Sequence, residues 1–538
     1  MFDLIINNGK VIDGAGNPWF KADVGITGQR ISAIGRLSAK KASAIIDATG
    51  LVISPGFIDM HSHSDFVLLV NPKAESKIRQ GITTEVIGNC GESAAPLNDL
   101  KKEEIRKTDS LIEEAKLQLD WATMKDYLAR LRHQGVAVNV VPLVGHANLR
   151  ACTMGFADRA PTKTELEEMK KRLAQAMEEG ASGMSTGLIY PPSCYAKTDE
   201  LIELSRVVAS YGGICTSHIR DEGEKLLESV KEAIEIGEEA GLPVEISHHK
   251  ARGKANWGKV KESLKMIEDA RDREIDVTCD VYPYMASSTV LSAALPQWAY
   301  EGGTEKLVQR LKDAETRGRL IREMREESPD RASLLGVDVW DVTQIAQYDN
   351  HPDLEGKTIS EIAQSKHMDP FELVFDLLID DAAISIVRFV ICEDDVRTVL
   401  RHPVSMIGTD ASAIAPYEVL GKGKPHPRSY GTFPRVLGKY VREERILTLE
   451  NAIRKMTSLP AQKLGLRDRG IIREGMRADI TIFSPETITD RATYQNPHQY
   501  PDGVEYVIVN GKIAVRDSRH TGELAGRVLL PRKATAGG

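Results

Sequence analysis

Pro55-Gly56-Phe57-Ile58-Asp59-Met60-His61-Ser62-His63 is an apolar run that ends in two histidines one residue apart. Side chains on a strand alternate between faces, so His61 and His63 point the same way and can chelate one ion. Four later runs end in the same manner: Val86-Ile87-Gly88-Asn89-Cys90, Cys215-Thr216-Ser217-His218, Val244-Glu245-Ile246-Ser247-His248-His249 and Met406-Ile407-Gly408-Thr409-Asp410. In barrels of parallel strands the active site gathers at this C-terminal face. Taken singly, His-Ser-His is an ordinary surface feature, Cys90 a small buried hydrophobe and His218 a satisfied core histidine. Repeated over several strand ends, the pattern points to a catalytic metal centre. His248 and His249 are adjacent, so alternation lets only one of them face the metal and does not say which.

Around these runs, strands of five to eight residues alternate with longer amphipathic helices. Strands are expected at Val52 to Asp59, Thr83 to Gly88, Ala137 to Leu143, Gly183 to Leu188, Gly213 to Ser217, Val244 to Ser247, Ile275 to Asp280, Ala383 to Val390 and Val404 to Gly408. Apolar residues recur at three and four positions in Thr164 to Glu179, Gly223 to Ala240 and Gly258 to Arg273, which predicts helices there. Such βα alternation over about 400 residues favours a (β/α)8 barrel or an open doubly wound sheet. The strand-like runs exceed eight by one. The extra is assigned to Ala383 to Val390, because the segment from about 285 to 380 is too long for one crossover and is expected to hold an inserted, mostly helical region. The two ends read differently. Ile5-Ile6-Asn7-Asn8-Gly9-Lys10-Val11-Ile12 and Val507-Ile508-Val509-Asn510-Gly511-Lys512-Ile513 both predict hairpins about Asn-Gly, whose two turn positions need positive φ. Residues 1–54 and 470–538 are therefore expected to build one small β domain around a central unit of residues 55–469.

The 538 residues are 41% hydrophobic and 28% charged, which is ordinary globular usage and excludes a disordered or coiled-coil chain. A net charge of -8 gives no general attraction for nucleic acid or anionic membranes, so neither is an expected partner. The start, Met1-Phe2-Asp3-Leu4, lacks the basic flank of a secretion signal, and no run reaches the roughly 20 apolar residues of a membrane span. The six cysteines are scattered singly, without the spacing of a disulfide framework. These features predict a soluble, cytoplasmic protein with reduced thiols.

The motifs resemble the metal-dependent amidohydrolase superfamily and, within it, the D-aminoacylases (N-acyl-D-amino-acid deacylases). Besides the runs above, the resemblance rests on Gly187-Leu188-Ile189-Tyr190-Pro191-Pro192, Ser217-His218-Ile219-Arg220, His248-His249-Lys250, Asp280-Val281-Tyr282-Pro283-Tyr284 and His426-Pro427-Arg428-Ser429-Tyr430-Gly431-Thr432-Phe433-Pro434-Arg435. It implies a TIM-like (β/α)8 barrel with a small β-sandwich domain formed by the two ends. Many members of the superfamily bridge two metals with a modified lysine, yet Ala181 to Tyr190 contains no lysine. In D-aminoacylases a cysteine takes that place, which matches Cys90.

The resemblance further implies one tight Zn2+ on Cys90, His218 and His248, with a weaker second site of His61, His63 and the shared Cys90. It selects His248 over His249, makes Asp410 the catalytic acid–base, and assigns Lys250, Tyr282, Ser288 and Arg428 to the substrate carboxylate. Arg428 suits an anion because its planar fork pairs with a carboxylate bidentately. The implied activity is hydrolysis of N-acyl-D-amino acids. The alternative is a cyclic-amide hydrolase like the dihydropyrimidinases and dihydroorotases, against which the missing lysine argues; a barrel that has lost catalysis would also have lost ligands. The stretch Ala411 to Pro427 is longer than its counterpart in the best-known D-aminoacylases, and the region Leu291 to Gln347 is a candidate lid or a helical packing insert.

Overall fold

The computed structural model describes residues 1–37, 40–326 and 339–530. Phe57–Asp59 is the first of a series of short, fully buried, parallel strands. A three-stranded sheet is ordered Asn139–Pro142, Ile82–Ile87, Phe57–Asp59. A six-stranded sheet runs Val144–Gly145, Gly183–Gly187, Ile214–His218, Val244–Ile246, Val277–Val281, Ser405–Ile407. One stretch of chain serves both sheets: it leaves the first at Pro142, passes Leu143 and joins the second at Val144. At the far edge the Ile407 carbonyl accepts the Met60 N–H at 3.4 Å, and Ser62 and Ala411 form a parallel bridge. The protein is therefore a mixed α/β fold built on parallel strands.

The helices between these strands follow from local chemistry. Thr162 caps Lys163–Glu179, its hydroxyl accepting the Glu165 N–H while the Glu165 carboxylate accepts the Thr162 N–H, and Gly180 ends the helix with φ 125°. Met169, Leu173, Ala176 and Met177 form its buried stripe. Truncating a fully buried leucine such as Leu173 to alanine costs about 2–5 kcal/mol. Thr198–Ser210, Leu226–Ala240 and Val260–Asp272 pack in sequence along the same side.

Two further sheets lie at the ends of the chain, the first from N-terminal strands alone and the second from both ends. One is ordered Arg30–Gly35, Asp23–Thr27, Phe2–Asn7, Ala42–Asp47; the other runs Arg519–His520, Lys512–Arg516, Val504–Val509, Ile480–Phe483, Val52–Pro55, Lys10–Val11, Phe20–Lys21. Ile6, Val24, Ile53, Ile480 and Ile508 belong to the core that they share. The two Asn-Gly turns behave differently. Asn510 (φ 48°) and Gly511 (φ 82°) close a true hairpin between Val504–Val509 and Lys512–Arg516. Asn8-Gly9 does not: Phe2–Asn7 is already flanked on both sides by Asp23–Thr27 and Ala42–Asp47. The chain turns away into the other sheet, where Lys10 donates its N–H to the Leu51 carbonyl at 3.0 Å. Beyond the last strand the tail returns to the parallel sheet, with Val140 donating to the Arg527 carbonyl and Leu529 to the Val140 carbonyl, both at 2.8 Å.

Between residues 285 and 391 a separate antiparallel sheet is ordered Ser287–Val290, Ser385–Arg388, Thr343–Gln347. The surplus strand expected at Ala383 to Val390 lies here, outside the parallel sheets. Helices Thr304–Leu311, Ala314–Glu326, Ile359–Lys366 and Pro370–Asp380 occur in the same segment, and residues 327–338 of the expected insert lie outside the described residues. Among the described residues no helix is long and apolar enough to cross a membrane.

Candidate metal centre

The metal-capable side chains stand where parallel strands end. His61 and His63 follow Phe57–Asp59, Cys90 follows Ile82–Ile87, His218 closes Ile214–His218, His248 follows Val244–Ile246 and Asp410 follows Ser405–Ile407. Cys90 (φ 53°), His248 (φ 37°) and Asp410 (φ 51°) all have left-handed backbones. For residues with a Cβ this costs on the order of 1–3 kcal/mol each, and such strain persists only where surrounding structure imposes it. It turns each chain sharply off its strand. Beside Cys90, Gly91 has φ 80° and lies against Gly187, whose backbone nitrogen would stand 2.7 Å from an added Cβ.

The result is a compact ligand set. Cys90 Sγ lies 3.6 Å from His218 Nδ1, 3.5 Å from His248 Nε2 and 3.2 Å from His61 Nε2. A tetrahedral zinc with bonds of ~2.0–2.3 Å needs donor atoms about 3.5 Å apart, so Cys90, His218 and His248 fit that ion. A second group shares the thiol: His63 Nε2 lies 3.0 Å and His61 Nε2 3.5 Å from Asp410 Oδ1. Thiolate plus imidazole is the donor chemistry that suits zinc over harder cations. His249 turns away, its Nε2 lying 2.8 Å from Ser263 Oγ, which leaves His248 beside the thiol.

Two carboxylates given no role by the sequence lie behind these candidate ligands. Asp280 Oδ2 lies 3.2 Å from His61 Nδ1, and Glu222 Oε1 lies 3.0 Å from His248 Nδ1. Such partners fix the ring and tautomer of a metal-bound histidine. Asp280 lies at the C-terminal end of Val277–Val281, one residue before its close, a signal available in the sequence; Glu222 sits in a loop and gives none. Electrostatics favour an anionic site. Burial alone would raise the Cys90 thiol, but the imidazoles of His61 and His248 and hydrogen bonds from His218 and His248 pull it well below its ordinary value. Burial would likewise raise Asp410, yet Arg428, His248 and His63 hold its carboxyl well below the usual range.

His63, Cys90, His218, Glu222, His248 and Asp410 line a cavity of about 590 Å3 whose wall also includes Lys250, Tyr282, Ser288 and Arg428. All four sequence-predicted carboxylate readers are thus brought together, but two are already engaged. Arg428 donates from Nη1 to Asp410 Oδ2 at 2.5 Å and from Nη2 to the Ser288 carbonyl at 3.3 Å; its guanidinium lies 4.8 Å from the Tyr282 ring centre. Lys250 is ion-paired with Glu222. The Tyr282 hydroxyl is buried and has no hydrogen-bond partner among the described residues, on a residue that lines the cavity. Tyr190, also unassigned from sequence, faces the cavity with its hydroxyl 2.9 Å from Thr289 Oγ1. Its loop is anchored by His146, which links Ser193 Oγ at 2.5 Å to Glu200 Oε1 at 3.0 Å. Ser193 is fully buried and Glu200 is gripped twice by Arg150, so this serine, histidine and glutamate are a brace and not a nucleophilic triad.

The sequence profile of the amidohydrolase family matches residues 44–515. A D-aminoacylase of Alcaligenes xylosoxydans xylosoxydans is 38% identical over 528 residues, covering 98% of this chain and 97% of the relative. An N-acyl-D-glutamate deacylase of the same organism is 38% identical over 535 residues, covering 99% of this chain and 98% of the relative. Among solved structures, N-acyl-D-glutamate deacylase from Bordetella bronchiseptica, complexed with zinc and a phosphonate mimic of the tetrahedral intermediate, superposes with a TM-score of 0.82 at 35% identity, covering 98% of this chain and 99% of that one.

Proposed function

The chain belongs to the amidohydrolase family, and on that premise we propose that it is a zinc-dependent hydrolase cleaving the amide bond of N-acyl-D-amino acids to a carboxylic acid and a free D-amino acid. The observation that carries this reading is the spacing of Cys90, His218 and His248, at a zinc's tetrahedral edge, in the lining of a cavity that Asp410 also lines. In this proposal Cys90, His218 and His248 hold the tight zinc, and His61 and His63 with the shared Cys90 form the weaker site. When bound, zinc polarises the scissile carbonyl and acidifies water. Asp410, kept ionised by Arg428, takes the proton of the attacking water and returns it to the departing amine nitrogen as the C–N bond breaks. The Tyr282 hydroxyl, Lys250, Arg428 and Ser288 receive the substrate carboxylate. Arg428 serves two anions, which couples substrate capture to the state of Asp410.

The same reading makes the parallel strands a closed (β/α)8 barrel over residues 55–469, supported by the Met60 to Ile407 hydrogen bond, with a β-sandwich from residues 1–54 and 470–538 and an insert at 285–380. The strand Gly183–Gly187 carries no lysine, which speaks against a cyclic-amide hydrolase. A cytoplasmic location accords with six free thiols. The test is a panel of N-acetyl-D- and N-acetyl-L-amino acids, with hydantoin and dihydrouracil, incubated with zinc-loaded protein while free amine is scored. Release from D-substrates alone is expected; turnover of the cyclic amides without the linear ones would overturn the proposal.

A further inference from the structure

Arg252 stands two residues beyond Lys250 in the loop that follows the His248 strand, and its backbone is fixed. Its N–H donates to the Glu222 carbonyl at 2.7 Å, and its own carbonyl accepts from the Asn256 side-chain amide at 2.9 Å. Its guanidinium, half-buried on the wall of the catalytic cavity, has no hydrogen bond or ion pair among the described residues. That is unusual here. Lys250 is held by Glu222, Arg428 by Asp410, and Arg220 by Glu232 at 2.8 Å. Arg252 also borders an adjoining chamber of about 80 Å3, which shares Ile189, Ala293, Leu295 and Gln297 with the main cavity. Arg220, Asp221 and Arg388 line that chamber too. Among the described lining residues the one acid is turned to the backbone, Asp221 Oδ1 accepting the Gly223 N–H at 2.6 Å. Of the charged side chains named in this chamber, Arg252 is the one whose guanidinium, among the described residues, is unspent.

We propose that Arg252 reads a second carboxylate on the substrate, so that this enzyme prefers N-acyl-D-amino acids with an acidic side chain, D-glutamate or D-aspartate. The inference rests on the functional reading above and names the substrate class of that site. A partly desolvated guanidinium gains a charge-assisted, bidentate bond from such a side chain, whereas an aliphatic side chain leaves it unpaired. Placement favours the amino-acid side chain over the acyl group as the source of the anion. Arg252 follows Lys250 on one short stretch of chain, and in an acidic amino acid the two carboxylates are joined by only a few carbons.

The experiment measures kcat/KM for N-acetyl-D-glutamate, N-acetyl-D-aspartate, N-acetyl-D-glutamine, N-acetyl-D-leucine and N-succinyl-D-leucine on wild type, Arg252→Gln and Arg252→Lys. Wild type is expected to prefer D-glutamate or D-aspartate over D-glutamine by at least about 10-fold. Arg252→Gln should lose roughly 10- to 100-fold on the acidic substrate, the range for one charge-assisted contact, with the D-glutamine rate changing only a few-fold. Arg252→Lys should keep part of the preference, which separates charge reading from misfolding. A wild-type preference for D-leucine, an equal loss on all substrates, or a loss confined to N-succinyl-D-leucine would overturn the inference and leave the deacylase reading standing. No turnover of any N-acyl-D-amino acid would overturn both.

Discussion

Replacing Glu222 by glutamine isolates how a residue that does not bind the metal sets its affinity. The carboxylate lies 3.0 Å from His248 Nδ1, is ion-paired with Lys250 and stands 4.0 Å from His218 Nε2. Burial pushes its pKa up, but Lys250 and the two histidines overcome this and hold it well below the ordinary range, so it is an anion in the folded protein. Glutamine keeps the shape and removes the charge. Two losses follow. His248, whose Nδ1 lies 3.0 Å from Glu222 Oε1 and 2.8 Å from Lys250 Nζ, loses the carboxylate that helps orient its ring with Nε2 at Cys90, which costs roughly 10- to 100-fold in metal affinity. Buried Lys250 also loses its counter-charge, a destabilisation of about 3 kcal/mol. Zinc affinity is read by competition with a chromophoric chelator, and stability by denaturant unfolding of the metal-free protein. Adding Lys250→Met to the variant should recover stability without recovering zinc, because only the unpaired charge is removed. A Glu222→Gln variant that is folded and binds zinc within about two-fold of wild type would refute this orienting role.

Asp410→Asn should keep the tight zinc and lose roughly 100- to 10,000-fold in kcat, because an amide cannot accept the water's proton; loss of zinc restored by added metal would make Asp410 a ligand instead. Asp109, which caps Ser110–Glu114 by accepting the Leu111 N–H at 3.1 Å, is pushed up to about 6 by burial. The folded state thus binds the proton that the unfolded chain releases near pH 4, and stability from this group falls as pH rises from about 4 to 6. Asp109→Asn, an equally good cap, should then stabilise the protein by about 1 kcal/mol at pH 7.5 and by nothing at pH 3.5, as read from denaturant midpoints.

The candidate ligands were legible in the sequence because they obey strand geometry: each follows a short apolar run, and His61 and His63 share one face by alternation. What sequence could not supply was pairing. Asn8-Gly9 and Asn510-Gly511 read alike, yet only the second joins neighbouring strands, since the partners of Phe2–Asn7 come from elsewhere in the chain. Glu222 and Tyr190 reach the site from loops, where no periodicity marks them, and alternation left the choice between His248 and His249 open, so that only the resemblance made it. The grip of Arg428 on Asp410 joins residues 18 apart through a folded loop. No spacing rule announces it.

The central claim is that a cysteine thiolate holds the tight zinc with two histidines. X-ray absorption at the zinc edge, on protein loaded with one equivalent, tests it without recourse to activity. One sulfur at about 2.3 Å and lighter donors at about 2.0–2.1 Å are expected, with the sulfur shell lost in Cys90→Ser. A spectrum of nitrogen and oxygen donors only, the same in wild type and Cys90→Ser, would contradict the account.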